Sequence, residues 1–266
     1  MAFKILVCAK QVPDTNEIKI NPETGTLIRD GVPSILNPDD ANALEEALTL
    51  KDTDPENITV TVVTMGPPQA EAMLFECIAM GADEGILISD RAVGGSDTWA
   101  TSNAITAAIK KVGDFDMIFA GRQAIDGDTA QVGPQIAEKL GLPQVTYVQK
   151  FEISDDKKTC TVQRQLEDGY EVIEVPLPCM LTTIKELNTP RYMSIAGIYN
   201  KDKDIKVWNA ADIEVDLTTV GLKASPTNVF RSFTPAPKEP GMKISGDTDN
   251  ELAKNLLIKL KEKHAI

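Results

Sequence analysis

Short apolar runs alternate with stretches of helical spacing through the first 140 residues. The runs occupy residues 3–9, 58–65, 84–90 and 117–120. Runs of this length that are apolar at most positions are typical of parallel strands buried on both faces. With helices between them, they predict an α/β fold with a doubly wound, mainly parallel sheet and right-handed crossovers.

From residue 145 the pattern changes to alternating polar and apolar residues. It predicts strands at residues 145–153, 159–166 and 170–175, with a turn at Asp168-Gly169, and a further strand at 179–184. These strands would extend the parallel sheet by an antiparallel region. A smaller hairpin is predicted at residues 17–28, and residues 199–206 form a charged stretch with no predicted strand.

The C-terminal part of the chain has the composition of a tethered arm. Residues 226–240 are rich in proline, and residues 247–264 carry leucines at helical spacing. We therefore expect an α/β nucleotide-binding domain at residues 1–225 and an extended linker with a C-terminal helical arm at residues 226–266. The helix either packs on its own domain or docks on another chain.

The charge balance excludes several partners. The 266 residues carry a formal net charge of -13, which argues against binding to nucleic acid or to an anionic membrane surface. No apolar run reaches the length of a membrane span and no signal peptide is evident, so a cytoplasmic protein without membrane insertion is expected.

Side chains suited to catalysis are scarce. His264 is the only histidine, and the four cysteines form no Cys-x-x-Cys pair. His-based triads and most zinc sites are thereby disfavoured, so we predict no catalytic residue and no metal ligand. A protein that holds a cofactor is the better-supported class.

Residues 116–135 read as a strand, a polar turn and the start of a helix. Gly121 ends the apolar run, and we expect Gly127 to form a tight turn and Asp128 or Thr129 to cap the next helix. Free N–H groups at a helix start bind anions, which favours a phosphate cradle. The alternative is an ordinary capped loop.

Two other helix starts share this character. Residues 90–102 contain paired glycines followed by Asp97 and Thr98, so they predict either a second phosphate loop or another capped helix. Asn37-Pro38 predicts an N-cap followed by proline at the first helical position. No Gly-x-Gly-x-x-Gly follows the first strand, so the usual dinucleotide fingerprint is absent.

One loop carries several apolar residues together. Such a group, on a segment that is otherwise polar, indicates a contact surface. Its members are Leu187, Tyr192, Met193, Ile195 and Ile198.

Residues 162–182 closely resemble the signature of the beta (small) subunit of electron transfer flavoprotein. They read Val-Gln-Arg-Gln-Leu-Glu-Asp-Gly-Tyr-Glu-Val-Ile-Glu-Val-Pro-Leu-Pro-Cys-Met-Leu-Thr. The resemblance covers nearly the whole chain, and it includes residues 7–14, 37–40, 120–131 and 187–192 and the C-terminal arm.

The resemblance implies a heterodimer with an alpha subunit that carries the electron-transferring FAD. Beta subunits of the family hold an adenine nucleotide, which is AMP with a structural role in ordinary members and a second FAD, reduced by NADH, in electron-bifurcating members. The residues implied at the adenosine are Ala9, Asn37, Asp40 and Met65. Those implied around the phosphates are Gly121, Arg122, Gln123, Asp126, Gly127, Asp128, Thr129, Ala130, Gln131 and Val132.

The loop at residues 90–102 resembles the bifurcating branch, where such a loop wraps the diphosphate of the second flavin through Asp and Thr side chains. Two phosphates need more hydrogen-bond donors than one. The expected residues here are Asp97, Thr98, Thr101 and Ser102, with Arg91 placed to steady flavin or nicotinamide charge.

The function implied is transfer of a hydride from NADH to FAD on this chain. One electron would pass to ferredoxin or flavodoxin, and the other through the alpha-subunit FAD to an acyl-CoA dehydrogenase. Arg122 would stabilise reduced-flavin charge, and the loop at 187–198 would dock the dehydrogenase with Ile195 as its anchor. Two alternatives stay open: a non-bifurcating subunit with structural AMP, and a nucleotide-binding protein with no redox role.

Overall fold

A computed structural model describes residues 2–14, 33–200, 204–230 and 238–266. These residues belong to two compact units, the first containing the described residues up to 230 and the second those from 238 onward. The predicted hairpin at residues 17–28 lies outside the described residues.

The first unit is built on a nine-stranded sheet, with a separate two-stranded antiparallel sheet formed by β2 and β3. In spatial order the large sheet runs β11-β5-β4-β1-β6-β10-β7-β8-β9. The strands are β1 (Phe3–Cys8), β2 (Gln11–Pro13), β3 (Ser34–Leu36), β4 (Ile58–Met65), β5 (Glu84–Ile88), β6 (Met117–Gly121), β7 (Gln144–Ile153), β8 (Thr159–Leu166), β9 (Gly169–Pro176), β10 (Cys179–Thr183) and β11 (Asp204–Trp208).

Helices cover both faces of the sheet. They are α1 (Pro38–Thr53), α2 (Glu71–Met80), α3 (Thr98–Val112), α4 (Val132–Leu140) and the short α5 (Ile195–Tyr199). One core cluster joins the sheet to α1 and α2, and the other joins its opposite face to α3 and α4. The predicted doubly wound α/β fold is confirmed.

The predicted change from parallel to antiparallel pairing is also confirmed. Seven of the sheet's strands, from β11 to β7 in the spatial order, pair in parallel, whereas β7 with β8 and β8 with β9 pair antiparallel. Alternation of polar and apolar residues marks these strands because one of their faces is more exposed than in the parallel region.

No strand was predicted in residues 199–206, but the structure has one, β11, which begins at Asp204. β11 lies at one edge of the sheet, parallel to β5, and Lys206 forms an ion pair there with Glu84. Charged side chains are common on edge strands because they discourage pairing with further chains. The strand carries charged residues because it lies at the edge of the sheet. It therefore lacks the apolar run by which the buried parallel strands were predicted.

The second unit contains one described helix, α6 (Asp249–Glu262). The Thr248 side chain caps it by accepting a hydrogen bond from the Glu251 N–H, and the Glu251 carboxylate accepts one from the Asp247 N–H. The predicted C-terminal helix is confirmed, although it ends before His264. Leu252, Leu256 and other apolar side chains on it are exposed.

Candidate functional site

The carboxyl ends of β1, β4, β5 and β6 open into a cavity of about 1020 Å³. Ligands of open α/β sheets bind at this edge of the sheet. Pockets for small molecules span about 300–1000 Å³, so this cavity lies at the upper end of the range. It has room for a ligand larger than a mononucleotide.

The first turn of α1 fixes one wall of the cavity. The Asp40 carboxylate accepts hydrogen bonds from the backbone N–H groups of Lys10, at 2.8 Å, and Gly121, at 2.9 Å. It therefore joins the carboxyl ends of two neighbouring strands. Burial raises the pKa of Asp40 to about 7, against the lowering effect of these two donors.

Asn37 occupies the predicted N-cap position of α1, and Pro38 follows at the first helical position. The cap itself is missing, because the Asn37 side chain accepts no hydrogen bond from a backbone N–H group at the start of its helix. Its Oδ1 accepts a hydrogen bond from the Ile125 N–H, and its Nδ2 donates one to the Gln123 carbonyl. Asn37 therefore shapes the loop after β6.

The predicted cap on α4 is wrong. The helix begins at Val132, with Gln131 before it and no side-chain cap. The Asp128 carboxylate instead accepts a hydrogen bond from Gln123 Nε2 at 2.8 Å. The first N–H groups of α4 therefore have no capping side chain, as an anion site requires.

Gly127 lies in the predicted tight turn, where its N–H donates to the Ala124 carbonyl at 3.2 Å, but the turn does not require a glycine at this position. The left-handed residues of this loop are Asp128, with φ 49°, and Ala130, with φ 52°. A Cβ on Gly127 would meet no heavy atom within 4 Å, whereas one on Gly133 would lie 2.7 Å from Thr182. Gly133 thus serves the packing of α4 on β10.

The second loop meets the first at the cavity. Asp97 caps α3 by accepting a hydrogen bond from the Ala100 N–H at 3.0 Å, which is one of the two alternatives that the sequence left open for this loop. The Thr98 hydroxyl donates a hydrogen bond to Gln131 Oε1 at 2.8 Å. The starts of α3 and α4 are thereby tied together on one side of the cavity.

Three cationic side chains line the cavity: Lys10, Arg91 and Arg122. Lys10 forms a 2.6 Å ion pair with Asp126. Arg122 lies over the ring of Tyr147, and its Nε is buried 3.5 Å from Asp39 Oδ2. That Nε makes no hydrogen bond among the described residues, so the ion pair with Asp39 is its one close polar contact there.

Most residues predicted to bind a cofactor line this cavity. They are Ala9, Asp40, Met65, Arg91, Asp97, Thr98, Thr101, Gly121, Arg122, Gln123, Gly127, Thr129, Ala130, Gln131 and Val132.

Four predicted residues do not line the cavity, namely Asn37, Asp126, Asp128 and Ser102. The first three shape or pair with the lining, as described above. Ser102 is fully buried, and its hydroxyl contacts the Trp99 carbonyl, the Gln135 side chain and Lys139.

Sequence reasoning missed several lining residues, including Lys10, Ser89, Val93 and Ser96. Lys10 is the second residue beyond β1, and Ser89 directly follows β5. Their positions just beyond strand ends were the available signal, since that edge binds ligands in this fold class.

The apolar loop residues lie away from the cavity lining, on and before α5. Tyr192 is 97% exposed and Ile195 is 77% exposed, and Met193 and Ile198 are also exposed. Leu187 instead packs against the main core. Four of the five predicted contact residues therefore present apolar surface to solvent.

Fold and site together define an α/β protein with a large cleft at the carboxyl edge of its sheet, where two helices begin. Residues 24–213 match the Electron transfer flavoprotein domain. The chain is 63% identical to the Caffeyl-CoA reductase-Etf complex subunit CarD of Acetobacterium woodii, over 99% of this chain and 100% of that protein. It is 58% identical to the Electron transfer flavoprotein subunit beta of Clostridium acetobutylicum, over 99% and 100% of the two chains.

A third relative is the Acryloyl-CoA reductase electron transfer subunit gamma of Anaerotignum propionicum, which is 53% identical over 99% of this chain and 100% of its own length. The chain belongs to the electron transfer flavoprotein family, as a beta subunit. Its role is electron transfer together with a partner subunit. Among the helices in the described ranges, none has the length and apolar composition needed to span a membrane.

Proposed function

We propose that this chain binds FAD in the cavity at the carboxyl edge of its sheet and takes part in electron bifurcation. The proposed heterodimer oxidises NADH and divides the electrons between ferredoxin or flavodoxin and, through the FAD of the alpha subunit, an acyl-CoA dehydrogenase. Bound FAD would supply the chemistry, since it accepts a hydride and releases electrons singly. The name of the relative from an Etf complex with caffeyl-CoA reductase supports this class of partner.

The observation that carries the proposal is the meeting of two helix starts at one large cavity. Both α3 and α4 begin at its lining, and α4 has no capping side chain. In a chain whose formal net charge is -13, the cavity lining is balanced, with Lys10, Arg91 and Arg122 beside Asp40, Asp90 and Asp97. The uncapped start of α4, together with the threonine hydroxyls at the start of α3, offers more donors than the single phosphate of AMP needs.

The chain's own residues would hold and orient the cofactor. Thr101 lines the cavity beside the start of α3, where its hydroxyl can donate to a phosphate oxygen, and Thr98 can do the same by giving up its bond to Gln131. The Arg122 guanidinium lines the cavity and would stabilise the charge of a reduced, anionic ring. The walls fixed by Asp40 and Asn37 would keep the strand ends and the β6–α4 loop in place around the adenosine.

Two other regions would bind proteins. The exposed side chains of Tyr192, Met193, Ile195 and Ile198 would enter an apolar site on the dehydrogenase, with Ile195 as the anchor. The leucines of α6 would dock on the alpha subunit.

The deciding experiment is the nucleotide content of the heterodimer, released by acid and quantified by chromatography. We expect two FAD per heterodimer and bleaching of both by NADH under anaerobic conditions. One FAD with one AMP would overturn bifurcation and leave a structural nucleotide on this chain. Absence of any nucleotide on this chain would overturn the assignment of the cavity.

A further inference from the structure

The exposed apolar loop is tied to α1 by one arginine. We call Tyr192, Met193, Ile195, Ile198 and Tyr199 the docking cluster; all five side chains are exposed. Arg191 directly precedes it and makes a two-pronged ion pair with Glu45, with Nε at 2.9 Å and a terminal nitrogen at 3.0 Å. Glu45 is only 8% exposed, so this pair is shielded from solvent on its acidic side.

Further hydrogen bonds complete the attachment to α1. The Arg191 backbone N–H donates to Glu45 Oε2 at 2.9 Å, and a terminal guanidinium nitrogen donates to Asp52 at 2.8 Å. The side-chain amides of Asn188 and Asn42 each donate a hydrogen bond to the backbone carbonyl of the other residue. The Asn188 amide also donates to the Glu46 carboxylate. Charge-assisted, paired hydrogen bonds of this kind fix orientation as well as position.

The other side of the docking cluster is held by α2. The Ser194 N–H donates to the Ala79 carbonyl at 3.0 Å, and the Ser194 hydroxyl accepts a hydrogen bond from the Gly197 N–H to cap α5. A Cβ on Gly197 would lie 2.7 Å from Ala79 Cα, so α5 approaches α2 as closely as a glycine permits. The segment is thus anchored on both sides while its apolar side chains point to solvent.

We propose that Arg191 is a positioning residue that holds the docking cluster in its binding conformation before the redox partner arrives. The proposal rests on the proposed function, because it takes the cluster as the surface that meets the dehydrogenase. Preformed binding surfaces avoid the entropy cost of ordering a loop during association. Loss of the Arg191 contacts should therefore weaken docking even though Arg191 is not itself part of the apolar cluster.

The test uses the purified heterodimer with Arg191→Gln and Arg191→Lys. Glutamine removes the charge, and lysine keeps the charge but cannot reproduce the two-pronged geometry. The matched control is Arg164→Gln, which removes an arginine that is paired with Glu171 at 3.7 Å on the antiparallel hairpin. Each variant is examined for amide hydrogen exchange of residues 187–199 and for KM and kcat with an acyl-CoA dehydrogenase that the heterodimer reduces.

For Arg191→Gln we expect faster exchange in residues 187–199 and a KM for the dehydrogenase raised about tenfold or more, with kcat at saturation retained. Arg191→Lys should lie between this variant and the wild type, and Arg164→Gln should match the wild type. Unchanged exchange, or an unchanged KM despite faster exchange, would overturn the positioning role.

Ile195→Ala separates this inference from the proposed function. A raised KM for Ile195→Ala with a wild-type KM for Arg191→Gln would leave the docking surface in place and overturn the role of Arg191. A wild-type KM for both variants, with normal electron transfer, would show that the dehydrogenase docks elsewhere.

Discussion

Gly121 shows how a single residue fixes the geometry of the cavity. The first turn of α1 crosses the end of β6 so closely that a Cβ on Gly121 would lie 2.6 Å from the Asp39 carbonyl carbon. We expect Gly121→Ala to destabilise the protein by about 2 kcal/mol or more, since backbone must move to relieve the overlap. Urea unfolding measures this, with Gly127→Ala as the control because its Cβ would meet open space. Equal effects of the two substitutions would contradict this account.

Asp40 should make stability depend on pH. Its pKa is raised by burial to about 7 from the ordinary value of 3.8, so between these values the folded chain holds a proton that the unfolded chain releases. Stability from this group is present at low pH and falls as pH rises from about 4 to about 7. The loss is on the order of 4 kcal/mol, since each tenfold change in proton affinity is worth about 1.4 kcal/mol. In urea unfolding between pH 5 and 8, the free energy of unfolding of Asp40→Asn should fall less steeply with pH than that of the wild type. Equal slopes for the two proteins would contradict this role of Asp40.

For single residues, the sequence predicts the place of a residue in its helix or loop better than the partner of its side chain. Asp97 caps α3 as its place before the helix indicates, because a cap is a local interaction. Asn37 stands at the predicted position but bonds to a loop more than 80 residues away in the chain. Ser102 is turned to Gln135 rather than to the cavity. In both cases the side chain bonds to a residue that is distant in the chain. No local sequence pattern reveals such a partner.

The missing cap of α4 connects stability with ligand binding. An aspartate at position 131 would satisfy N–H groups at the helix start and stabilise the ligand-free chain by about 1 kcal/mol. The same carboxylate would repel a phosphate at that place. We expect Gln131→Asp to raise the melting temperature and to weaken FAD binding by about tenfold or more. Gln131→Asn loses the same bond to Thr98 without adding charge, so it is the control; equal FAD affinities of the two variants would contradict an anion at this helix start.

Among the elements, those with apolar runs or regular alternation were predictable, whereas the charged strand β11 and the short helix α5 were not. β1, β4 and β6 are buried at most positions, so their sequences are mainly apolar and can be recognised as strands. β11 has charged residues and one neighbour in the sheet, and α5 is a five-residue helix. Short or edge elements owe their conformation to the parts they lie against, such as β5 for β11 and α2 for α5.

On the scale of the molecule, the cavity is assembled from segments far apart in the chain. Ala9, Met65, Thr98 and Gln131 all line it, and they meet because parallel strands bring their carboxyl ends to one edge. Sequence patterns predicted that edge and two of its loops. The family resemblance was needed to assign the adenosine side, since nothing local marks Ala9 or Met65 as ligand contacts.

The C-terminal arm carries the last prediction. Leu252 and Leu256 lie one turn apart on α6, and both side chains are exposed. If this face docks on the alpha subunit, burial of the two leucines would contribute about 3 kcal/mol or more, which is at least about 100-fold in affinity. Replacing both with aspartate should weaken heterodimer formation by that factor, measured by titration calorimetry with the alpha subunit. Lys254→Asp, on the same helix, is the control for added negative charge, and the thermal unfolding of the isolated chain should be unchanged in all variants. Full-strength assembly of the double variant would place the subunit contact elsewhere and leave α6 without a role in it.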